Sequence, residues 1–85
     1  MPTRSELKAK AQLIFRDVLE APSLELRDEM VAKDVETWDS LNHITLVMSL
    51  EETFNVKFST REVMGWKNVG EMLDTLLRKV AAPRP

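Results

Sequence analysis

Val69, Met72, Leu73, Leu76, Leu77 and Val80 recur at steps of three and one, the spacing that puts apolar side chains on a single face of an α-helix. A stripe this regular commits the C-terminal segment to a helix, and such a helix must bury its face against another apolar surface. Asn68 stands where the first turn needs an N-cap, and Glu71 falls inside that turn. Near the other end, Leu7, Ala11, Ile14, Phe15 and Val18, backed by Leu19, form a second stripe. They predict a helix from about Arg4 to Leu19 that stops before Pro22. Thr3 and Glu6 have the form of a capping box at its start.

A third helix is predicted from about Ser40 to Phe54. Winding it at helical period gathers Ile44, Leu46, Val47, Leu50 and Phe54 on one arc, with Asn42, Thr45, Ser49, Glu52 and Thr53 opposite. Asp39 is its N-cap, accepting from the first orphan amides. Ser40 then lies in the first turn, at the positive end of the helix dipole, where amides stabilise a phosphate ester.

Residues 20–38 follow neither period, although Leu24, Leu26, Met30, Val31 and Val35 are spaced to pin a loop onto a core. A connection this long is unusual in a small domain and points to function. Asn55, Val56, Lys57 and Phe58 alternate, but four residues with no partner strand read as a link whose Val56 and Phe58 turn inward. Ser59 and Glu62 form a second capping box, opening a helix of about one turn that Gly65 can end. The expected fold is all-α: a four-helix bundle of three main helices and one short one, with a long loop between the first two. A single domain spans 1–85, with an ordered core over about 3–81 and a frayed tail from Ala81 to Pro85.

Composition removes several function classes. The chain has no cysteine and one histidine, which excludes a disulfide scaffold and argues against a metal site. Asp28, Glu29, Asp34 and Glu36 lack the spacing of a calcium loop and read as a solvated loop. A net charge of -2 does not suit a nucleic-acid partner, which needs a basic face. No apolar run approaches a membrane span and no signal-peptide pattern is visible, so a cytoplasmic monomer with no membrane contact is expected. His43 follows Ser40 by one turn on the same helix and Asp39 adjoins it, so no separate carboxylate orients the imidazole, and the chain is expected not to be an enzyme.

Trp38-Asp39-Ser40-Leu41, followed by Leu46-Val47-Met48, Leu50-Glu51-Glu52 and Phe54, resembles the acyl carrier protein family. The resemblance extends over nearly the whole chain. It implies that Ser40 carries a covalent 4'-phosphopantetheine derived from coenzyme A, with Asp39, Leu41 and His43 at the root of that arm. It also implies that Ile44, Val47, Leu50, Phe54 and Trp66 line an acyl pocket. Leu41, Met48, Glu51 and Glu52 would meet partner enzymes. Those partners would be a phosphopantetheinyl transferase and acyl-activating, acyltransferase or synthase enzymes.

Asn42, Thr45 and Thr53 stand at three places where the fatty-acid type usually carries an acid, and Trp38 replaces the small residue common before Asp-Ser-Leu. These departures turn the expectation from bulk fatty-acid synthesis to a specialised fatty-acid or polyketide-type pathway. An aminoacyl or peptidyl carrier and an unmodified helical interaction module are the alternatives. Trp66 stands where an aliphatic residue is usual. It either narrows the pocket toward short or polar cargo or simply completes the core against Leu73 and Leu76.

Overall fold

The computed structural model describes residues 3–81, and of Ala81 only the backbone. In chain order, α1 covers Arg4–Val18, α2 Ser40–Phe54, α3 Thr60–Gly65 and α4 Val69–Ala81, with one 3-10 turn at Ala32–Asp34 in the long loop. There is no strand among the described residues. The expectation of fraying over residues 82–85 lies outside them.

The helix starts follow the local sequence. Thr3 Oγ1 accepts from the Glu6 amide at 3.2 Å while Glu6 Oε1 accepts from the Thr3 amide at 3.1 Å. Ser59 and Glu62 repeat the exchange at 3.1 and 2.8 Å, and Asn68 Oδ1 accepts from the Glu71 amide at 3.0 Å. Each oxygen replaces a carbonyl that the first turn lacks. Gly65 is the last residue of α3, but no glycine has a positive φ. That helix therefore ends by turning extended at Trp66, without the left-handed glycine cap the sequence offered.

Leu7, Ala11 and Phe15 of α1, with Leu19 just past its end, meet Leu46 and Leu50 of α2 and Val69, Met72, Leu73 and Leu76 of α4 in one buried core. Leu26, Met30 and Val56 close it from the connecting segments. Burial of this much aliphatic and aromatic surface is the main stabilising term, each fully buried large side chain contributing about 1.5–3 kcal/mol.

One expectation is corrected. Ile44 does not join the core arc of α2 but is 57% exposed. Only Leu46 and Leu50 of that helix are buried, because α1 meets α2 along a narrow stripe and the short α3 cannot cover the rest. Leu41, Ile44 and Met48 therefore form a second apolar row that faces outward.

The long loop is strapped across α1 and onto the start of α4. Gln12 Oε1 accepts from the Leu26 amide at 2.8 Å, and Arg16 Nε donates to the Leu24 carbonyl at 2.7 Å. The Asp28 and Met30 carbonyls accept from the Gly70 and Val69 amides at 2.8 and 2.9 Å, satisfying orphan donors of α4 that no side chain reaches. Asp28 also pairs with Arg4 at 2.7 Å and Lys8 at 3.1 Å. It is committed to these partners rather than to a cation, and no cluster of potential metal ligands occurs among the described residues.

Candidate functional site

The turn into α2 is a corner tied at several points. Asp39 Oδ1 accepts from the Asn42 amide at 2.8 Å, and the Asp39 carbonyl accepts from the His43 amide at 2.9 Å. The Thr37 carbonyl accepts twice, from Asn42 Nδ2 at 2.7 Å and from the Asp39 amide at 3.0 Å. Thr37 Oγ1 in turn donates to the Leu19 carbonyl at 2.6 Å. The end of α1 thus holds the start of α2 through Thr37, a residue with no signal in the sequence because its partner is fixed only by the tertiary fold.

Ser40 is the first residue of α2 and is exposed. Its hydroxyl belongs to the one turn whose amides have no carbonyl behind them, which favours an anionic ester on Oγ. An exposed hydroxyl, a capped helix N-terminus and a rigid corner fit a covalently attached phosphodiester. Leu41, beside it, is 72% exposed.

His43 is half-buried one turn below Ser40. Its Nδ1 accepts from the Trp38 indole Nε1 at 3.1 Å, and the two rings stack with centroids 6.0 Å apart and planes at 21°. Trp38 stands edge-on against the fully buried Phe15 at 5.2 Å. Burial holds the His43 pKa below its ordinary 6.5, since an imidazolium would lose water without gaining a partner. With Nδ1 occupied as an acceptor, the neutral ring carries its proton on Nε2.

Below the corner a cleft of about 230 Å³ opens between α2 and the segment around α3. His43, Ile44, Val47, Met48 and Glu51 line it from α2, and Phe58, Thr60 and Val63 line it from the other side. Of the five residues expected in a pocket, Ile44 and Val47 are here. Leu50 lies wholly in the core and Phe54 packs against it, half-buried. Trp66 belongs to a separate cavity of about 70 Å³ beside the long loop, with Val31, Ala32, Trp38 and His43. Its ring packs edge-on against Phe58 at 5.1 Å, and its Nε1 donates to Thr75 Oγ1 at 3.0 Å. Val63, Thr60 and Met48 are cleft residues that the helical wheel did not bring to the pocket, Thr60 and Val63 because they reach it from α3 rather than from α2.

The residues expected to face partners are spread differently from one another. Met48 is 62% exposed, and Glu52 projects into solvent. Glu51 turns inward, its Oε2 accepting from the Phe58 amide at 2.8 Å. Met64 of α3 is 81% exposed.

Residues 11–76 match the family model described as the phosphopantetheine attachment site. The chain is 35% identical over 80 residues to an acyl carrier protein of Thermosynechococcus vestitus, covering 93% of this chain and 98% of that one. The solution structure of the holo acyl carrier protein of Geobacter metallireducens superposes with a TM-score of 0.80 at 40% identity, over 95% of this chain and 88% of that one.

Proposed function

Because the chain belongs to the acyl carrier protein family, whose cofactor is a covalently attached 4'-phosphopantetheine, we propose that Ser40 is the attachment residue and that the chain holds acyl groups as thioesters. The observation that carries this is the exposed Ser40 hydroxyl at the Asp39-capped N-terminus of α2. In the attachment step a separate transferase removes the Ser40 proton, and Oγ attacks the pantetheine-bearing phosphorus of coenzyme A. A P–O bond forms to Ser40, the pyrophosphate bond breaks, and the nucleotide bisphosphate leaves. The bound group supplies a terminal thiol on which an acyl group is carried.

This chain contributes position and charge. The bonds from Thr37 to Leu19 and from Asn42 to Thr37 keep the corner rigid, and the first-turn amides stabilise the phosphodiester. Carrier proteins of this family serve synthase and transferase enzymes, and here Leu41, Ile44, Met48 and Met64 offer the apolar contact. Glu52 supplies the exposed acid. The cleft beside His43 shelters cargo, and its modest volume favours short acyl groups of a specialised pathway. A covalent arm leaves no ground for the unmodified interaction module.

Incubation with coenzyme A and a broad-specificity transferase, followed by fragmentation mass spectrometry, tests the assignment. The added mass should fall on the peptide containing Ser40. Its appearance on Ser5, Ser23, Ser49 or Ser59 would overturn the assignment.

A further inference from the structure

His43 is the residue common to both cavities. It forms part of the lining of the 230 Å³ cleft and of the 70 Å³ cavity beside the long loop. On the cleft side it meets Ile44, Val47 and Phe58, and on the other Val31, Trp38 and Trp66. Apolar surface thus continues past the imidazole on both sides, and the ring interrupts it. We propose that the His43 imidazole, latched to Trp38, is the wall between the cleft and the cavity beside the long loop, and that this wall sets the longest acyl chain the carrier shelters.

Volume and attachment support the assignment. An apolar cavity of about 150 Å³ accepts a benzene-sized molecule, so the cleft alone has room for a short chain. A cavity of 70 Å³ is too small to do so and gains use only as an extension of the cleft. Trp38 is a fixed post, because its ring stands edge-on against Phe15 in the core. The imidazole is held in place by one hydrogen bond, at 3.1 Å from that post, and by the stack on the indole. Removing or turning the ring joins the two spaces, and every further methylene then buried adds to the stability of the loaded chain.

The inference rests on the carrier reading, and its test separates the two. Full-length wild type, His43→Ala and Trp38→Phe are loaded from hexanoyl- and dodecanoyl-coenzyme A by the transferase. Each loaded sample is weighed intact, and its thermal midpoint is compared with that of the same variant bearing the free thiol, so a change in baseline stability cancels. In the wild type, dodecanoyl should stabilise no more than hexanoyl. In His43→Ala it should exceed hexanoyl by about 4 °C or more.

Trp38→Phe keeps a ring against Phe15 but removes the donor to His43, so it should shift the same way by less. It keeps the test decisive if the alanine variant does not fold. Loaded chains with the same length dependence in all three would overturn the wall alone. Absence of an adduct in the wild type would overturn the carrier reading and the wall with it.

Discussion

Glu20 ends α1 at φ 52, a left-handed conformation that disfavours an L side chain. The Ala21 amide donates to the Arg16 carbonyl at 2.9 Å and the Glu20 amide to the Asp17 carbonyl at 3.4 Å, the bond pattern in which glycine usually fills this place. Glu20→Gly should raise stability by about 0.5–1 kcal/mol, read from the urea midpoint, and a loss would contradict the strain. His43 gives a second residue-scale prediction. Its pKa is lowered by burial, and its position near the positive end of α2 acts in the same direction. The unfolded chain therefore binds the proton more readily than the folded one. The contribution of neutral His43 is intact above its ordinary 6.5 and is lost as pH falls below that value. Asp39 one turn back, Glu51 in the cleft and Lys67 by the cavity beside the long loop are charges near it. The stability difference between about pH 7.5 and pH 5.5 should shrink in His43→Gln. An unchanged difference would mean that the ring's protonation does not couple to the fold.

Helix starts were legible in the sequence because capping joins residues three apart, as Thr3 to Glu6, Ser59 to Glu62 and Asp39 to Asn42 show. The stripes of α1 and α4 were legible for the same reason, since period alone decides which face is apolar. Ile44 departs from the expected core arc because a helical wheel identifies an apolar side without revealing how wide the facing helix is. The Trp38–His43 bond and the strap from Asp28 to Gly70 were invisible, the first because neither side chain advertises the other and the second because its backbone partners are remote in sequence. Gly70 tests that strap. A Cβ there would stand 3.2 Å from both the Cβ and the carbonyl oxygen of Asp28. Asp28 cannot yield readily, since its carbonyl is bonded to Gly70 and its carboxylate to Arg4 and Lys8. Alanine in a helix interior gains about 1 kcal/mol over glycine by propensity, yet Gly70→Ala should destabilise thermally because it pries the loop from α4. A gain in midpoint would show the strap to be slack.

The chain as a whole is a short bundle whose loop and two terminal helices meet at Asp28. Hydrogen bonds from Lys8 and Arg4 hold the Asp28 pKa below its ordinary 3.8, so its contribution is present above that value and is lost as acid protonates it in the fold. Asp28→Asn should lower stability at neutral pH and flatten the fall between about pH 5 and pH 2; an unchanged acid profile would contradict that role. Recognition by partner enzymes is likewise a property of the assembled surface. If, as proposed, the exposed Leu41, Ile44 and Met48 of α2 and Met64 of α3 carry the contact, Met48→Ala should weaken transferase binding about fivefold to tenfold, while moderate salt costs less because exposed charge pairs are weak and screened. Collapse of binding in salt with Met48→Ala unaffected would reverse that ranking. The central claim is that one hydroxyl, at the capped start of α2, carries the arm. Its most direct test is the intact mass of wild type and Ser40→Ala after identical incubation with coenzyme A and transferase: a single phosphopantetheine on the wild type and none on the variant is the predicted result, and modification of the Ser40→Ala chain would contradict it.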